Sequence, residues 1–159
     1  MKAILRILFT GFCSILILSP LAYSQGNTHN FDEGGLIIWY PSNWKITEHQ
    51  LHFLMPNTEE LSVQLEIVEA PDLDAAVKIS AIELKAMFPN DMSSEITETV
   101  VNGMQVRGVQ KSSEKRRAKY FVLQSPSGKY VKIYCIAAKD ILSKYEADID
   151  RIIENLKPL

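Results

Sequence analysis

Hydrophobic and polar residues alternate with a period of two over most of this chain and with a period of three to four over two stretches. The most regular region runs from Ile96 to Ala138 and is read as three consecutive antiparallel strands. Its first turn is Asn102-Gly103, flanked by Val100-Val101 and Met104. Both turn residues tolerate positive φ, which makes this pair a strong hairpin signal. A basic loop follows at 111–117, and Pro126-Ser127-Gly128 turns the chain into a last apolar run ending at Ala138. Upstream, Leu36–Tyr40 is bulky on both faces, so both faces are expected to be covered. Pro41-Ser42-Asn43 supplies turn chemistry after it. Trp44–Gln50 and Leu51–Met55 predict two more short strands. In Leu61–Glu69, Leu61, Val63, Leu65 and Ile67 point one way, and Ser62, Gln64 and Glu66 the other, as in a half-buried strand.

The helical period appears twice. Pro71 stops the sheet, and Asp72 or Asp74 is placed to cap a helix to about Phe88, ended by Pro89-Asn90. Its apolar positions are Leu73, Ala76, Val77, Ile79 to Ala81, Leu84, Met87 and Phe88. The second helix is expected to open at Asp140. It has Ile141, Leu142, Tyr145, Ile149, Ile152, Ile153 and Leu156 on one side, with Lys144, Glu146, Asp148, Asp150, Arg151 and Glu154 facing water. Strands, helix, strands, helix is the order of an α+β domain with a mainly antiparallel sheet flanked by two helices.

The N-terminus changes the picture of location. Lys2 and Arg6 precede an apolar run from Ile7 to Leu18, Pro20 breaks it, and Ala22-Tyr23-Ser24 places small residues before a cut. This is the pattern of a secretory signal peptide cleaved between Ser24 and Gln25. The run is shorter than the ~18–20 residues of a membrane span. Cys13 lies inside the run rather than at its end, against a lipidation site. The expected organisation is a signal peptide over 1–24, a polar flexible lead-in over 25–33 and one domain over 34–159, in a protein that is periplasmic or secreted.

Charge and cysteine content narrow the function classes. The chain has 17 Lys and Arg against 19 Asp and Glu, a net charge of −2. It therefore lacks the electrostatic footprint of a nucleic-acid binder. Cys135 is the one cysteine after residue 24. Its place mid-strand, sharing a face with Val131, Ile133 and Ala137, favours a buried thiol over a reactive or interchain one.

Candidate chemistry is sparse. There is no Gly-x-Ser-x-Gly elbow and no glycine-rich phosphate cradle. Ser125 and Ser127 flank Pro126 in a turn. Glu95, Glu98, Asp148 and Asp150 are explained by solvated faces. His49 and His52 lie three apart across a predicted strand–turn–strand, near Glu48, Glu59 and Glu60. They anchor the alternative reading of a small-ligand-binding or metal-binding protein or a hydrolase, but their spacing does not make a metal site. No catalytic residue, metal or cofactor is assigned.

Two features suit a partner. Lys111, Lys115, Arg116, Arg117 and Lys119 concentrate positive charge; they fit an acidic partner or an anionic membrane surface, or simply a hairpin loop that keeps a strand edge soluble. Trp39 shares a strand face with Ile37. It is core if the helix from Asp74 to Phe88 covers that face, and an exposed aromatic anchor if not.

Three places resemble one family. Leu36 through Tyr40, Pro41-Ser42-Asn43 and Trp44 resemble the opening strand and aromatic-Pro turn of the PsbP/Mog-type superfamily, which includes exported bacterial proteins of the DcrB type. Val100 through Arg107 resembles its Asn-Gly hairpin. Tyr130 through Ala138, with Tyr145 to Leu156, resembles its last strand and closing helix. The resemblance implies an α/β/α sandwich. It also implies a binding or accessory role rather than an enzymatic one, here through contacts with an unidentified envelope protein.

Overall fold

The computed structural model describes residues 25–48, 52–88 and 94–159. The region read as a signal peptide, His49, and the Pro89-Asn90 helix end lie outside the described residues.

Among the described residues, ten strands, two α-helices and a short 3-10 turn at Asp32–Gly34 succeed one another. The strands are β1 Gly26–Phe31, β2 Leu36–Pro41, β3 Trp44–Glu48, β4 His52–Pro56, β5 Val63–Val68, β6 Ser94–Val101, β7 Met104–Ser112, β8 Arg116–Gln124, β9 Tyr130–Ala138 and β10 Lys157–Pro158. Helix α1 is Leu73–Met87 and α2 is Lys139–Glu154. The strands form a seven-stranded sheet in the order β3-β4-β5-β9-β8-β7-β6, and a three-stranded sheet in the order β1-β2-β10. All recorded pairings are antiparallel. The fold is therefore α+β, with a mainly antiparallel sheet and two helices, as the sequence pattern predicts.

Helices lie on both faces of the large sheet. On one, Leu142, Ile149 and Ile152 of α2 pack with Val63, Ile133 and Cys135 of the large sheet and with Leu36 and Ile38 of the small one. On the other, Ala76, Val77 and Leu84 of α1 pack with Val109, Tyr120 and Val122. Helix α1 starts where Asp72 caps it, its Oδ1 accepting from the Ala75 N–H at 2.7 Å. In the β6–β7 turn, Asn102 has φ of 48° and Gly103 φ of 83°, the backbone that an Asn-Gly hairpin needs.

Several expectations need correction. The polar segment 25–33 is not a flexible lead-in. Gly26–Phe31 pairs along the whole of β2, and Phe31 is buried in the core. Backbone pairing needs no apolar side chain, so composition could not reveal it. The stretch read as three strands holds four, β6 to β9, since its three turns divide it into four segments, and the basic loop is shorter than 111–117 because pairing persists as far as Ser112↔Arg117. Helix α2 begins at Lys139, and the residue before it, Ala138, makes no side-chain cap bond; Asp140 lies in the first turn instead. The apolar side of α1 is only partly covered: Ala76, Val77, Ser80 and Leu84 are buried, while Ile79, Ile82 and Met87 are exposed. No helix among the described residues is long and apolar enough to cross a membrane.

Candidate interaction surface

The basic hairpin divides into two parts. Lys115 and Arg116 are exposed at its tip. Arg117 turns inward, donating to both carboxylate oxygens of Glu146 at 3.2 and 2.9 Å and to Gln110 Oε1 at 2.7 Å. Lys119 is 2% exposed and pairs with Glu146 and Asp150 at 2.8 Å each. Strand alternation forces this. Residues 117 and 119 point to the α2 face, where acidic residues spaced four apart on the helix meet them. The Lys119 ammonium, and then Arg117, hold the Glu146 carboxyl below its ordinary value against the opposing effect of burial. So Glu146 and Asp150, expected to face water, are structural partners of the sheet.

A second ion-pair cluster lies under α1. Lys132 is buried, with Glu66 at 2.8 Å and Glu83 at 2.5 Å, and its ammonium stands over the Tyr134 ring at 4.9 Å. Burial alone would lower its pKa, but the two carboxylates outweigh that and raise it. Burial pushes the neighbouring Tyr120 hydroxyl well above its usual range.

Trp39 is half-buried. It is covered not by α1 but by α2, whose Arg151 guanidinium lies 5.3 Å from the ring. Its other neighbour is Gly26, where a Cβ would stand 1.9 Å from Trp39 Nε1. Trp39 is thus neither fully core nor a free anchor. Cys135 is buried, and desolvation raises its pKa to about 12 although the Lys119 backbone and ammonium oppose this. A thiol in that state is not a nucleophile at physiological pH.

No group of three or more His, Cys, Asp or Glu among the described residues is placed to hold a metal. A concavity of about 550 Å³ is lined by Lys45, Met55, Glu59, Glu60, Leu61 and Ile136, among others. Its acidic groups are engaged: Glu59 with Lys45, and Glu60 with Lys144 at 2.6 Å and the Tyr145 hydroxyl at 2.8 Å. Both carboxyls are lowered, by those hydrogen bonds first.

The surface that sequence reasoning missed is the far edge of the large sheet. Strand β6 closes the order, and no described strand pairs with its outer side. Ile96 is 60% and Val100 66% exposed. Beside Ile96, Ile82 of α1 is 69% exposed. Between α1 and β6 runs a groove of about 380 Å³, floored by Ala81, Ile82, Ile96 and Val109 and rimmed by Lys78, Lys85 and Lys111. Further along the edge, Arg107 reaches Asp74 of α1 and Glu98 of β6, the latter at 3.1 Å. Large exposed apolar residues gathered at one edge mark an interaction site more often than chance scatter.

No protein-family model matches the chain, and no curated protein matches it. Among solved structures, it is similar to the solution structure of cyanobacterial PsbP (CyanoP) from Synechocystis sp. PCC 6803, with a TM-score of 0.62 at 12% identity over 88% of this chain and 96% of that one. The chain thus has a PsbP-like α+β fold.

Proposed function

We propose that this chain is a non-enzymatic accessory protein of the cell envelope, exported and acting through contacts with another protein. The observation that carries this reading is the open edge of the large sheet. Ile96 and Ile82 stand together in solvent beside a groove at that edge, and Val100 is exposed further along the same strand. A binding surface explains exposed apolar side chains that folding alone leaves unexplained. The family resemblance of the opening strand, the Asn-Gly hairpin and the closing helix supports the same role. The location rests on the leader-like residues 1–24, with cleavage near Ser24-Gln25.

The test is lysine-directed crosslinking in intact cells, followed by purification under denaturing conditions and mass spectrometry. The reading expects a reproducible adduct between this chain and a second polypeptide. A protein recovered only as itself across crosslinker lengths would overturn it.

A further inference from the structure

We infer that β6 is a strand-addition site that takes an extended protein segment carrying a carboxylate beside an apolar side chain. This rests on the protein-partner reading above and states how that partner is held.

The backbone geometry comes first. Strands β6 and β7 close at Val101↔Met104 around the two-residue turn Asn102-Gly103. The pair flanking such a turn is hydrogen-bonded, and bonded and non-bonded pairs alternate from there. Val101, Thr99 and Thr97 therefore direct their N–H and C=O groups to β7, while those of Val100, Glu98, Ile96 and Ser94 point outward. The result is an open ladder edge on an eight-residue strand, about 25 Å long at the usual strand rise. It contains no proline or lysine, the residues commonly used to blunt an edge.

Side chains then select the guest. Ile96 and Glu98 lie opposite Val109 and Arg107, which face α1: Val109 packs in the α1 core and Arg107 binds Asp74. A strand added beside β6 would place every second side chain over the α1–β6 groove. An apolar one there covers Ile82 and Ile96. Its neighbour two residues on reaches the rim formed by Lys78, Lys85 and Lys111. Lys78 and Lys85 are exposed and lie seven residues apart on one face of α1. The exposed Lys78 and Lys85 ammonium groups beside an apolar floor, on a chain of net charge −2, favour a carboxylate. A second copy fits less well, since pairing about the middle of β6 would bring its own Glu98 beside this one, like charge against like.

The test is selection of a random decapeptide library on the purified protein, followed by affinity measurement of the enriched peptides on wild type and two variants. Glu98→Pro removes an outward N–H from the edge and leaves the inward ladder of Thr97 and Thr99 in place. Lys78→Glu with Lys85→Glu reverses the rim on the exposed surface of α1, where the fold does not depend on it. Enriched peptides should place Asp or Glu two residues from Val or Ile. They should bind at least tenfold more weakly to each variant, and should slow amide exchange at Ile96, Glu98 and Val100. No enrichment, a basic or proline-rich consensus, or unchanged affinity for the lysine variant would overturn the proposal. So would a dimer in sedimentation that Glu98→Pro dissolves, which would make a second copy the occupant. A cellular partner crosslinked through other surfaces would sink this site and leave the accessory role standing. The absence of any cellular partner would sink that role.

Discussion

Replacing the buried lysine should be less harmful than removing its acidic partners. Lys119 is 2% exposed, whereas the side chains of Glu146 and Asp150 are 34% and 45% exposed. In Lys119→Met the two carboxylates return to water, Arg117 still binds Glu146, and an apolar chain of similar length fills the space of the lysine stem. Substituting well-packed apolar groups for buried charge is often neutral or stabilising, so the expected cost is within about 1.5 kcal/mol. In Glu146→Ala with Asp150→Ala, an ammonium is left under the sheet without a counter-charge. Breaking a buried pair from one side costs about 3–5 kcal/mol. Urea unfolding at pH 7 reads both values, with unchanged m values showing that the transition stays two-state. If Lys119→Met costs as much as the double carboxylate change, the stranded-charge argument fails.

The other expectations are simpler. Cys135, with its pKa pushed up to about 12 by burial, should react with a thiol reagent at pH 8 only as fast as the protein unfolds; rapid labelling of the native protein would contradict that. Glu146 has a folded pKa below the ordinary 4.5, so its contribution to stability is complete above that value and fades as pH falls through the folded one; Glu146→Gln should flatten the acid limb of Tm against pH. Gly26→Val should push Trp39 away from Arg151, because the added Cβ would sit 1.9 Å from the indole nitrogen; a red shift in tryptophan emission checks it. Leu142→Ala, at a fully buried position of α2, should cost about 2–5 kcal/mol in the same urea assay.

Much of the fold was legible because its elements announce themselves locally. Asn102-Gly103 specifies a turn by backbone permissiveness alone. The spacing of Leu142, Tyr145, Ile149 and Ile152 specifies a helix with one buried face. Strand β1 was illegible for the opposite reason. Gly26-Asn27-Thr28-His29-Asn30 has no apolar period, and its order comes from backbone pairing with β2, thirteen residues on from Asn27 at Tyr40. The small sheet could not be separated from the large one in sequence either. It depends on β10, two residues long, returning from α2 to Ile37 and Leu36.

The interaction surface fails in sequence for a different reason. Ile96-Thr97-Glu98-Thr99-Val100 alternates like any half-buried strand, and alternation says which residues share a face without saying whether anything covers it. That is decided by strand order. A meander can grow from the centre outward or from the edge inward, and here it grows inward. Strand β6 comes first and is left outermost, and β9 comes last and inserts beside β5. The same order makes the basic stretch misleading. Residues 111–119, which look like one charged stretch, are split by the pleat and the pairing, so that Arg117 and Lys119 fall on the α2 face against Glu146 and Asp150. Lys111 instead falls at the α1–β6 groove. The charge concentration seen in the linear sequence is thus not one site. It divides between an internal ion-pair cluster on the α2 face, Lys111 at the α1–β6 groove on the other face, and Lys115 and Arg116 at the exposed hairpin tip.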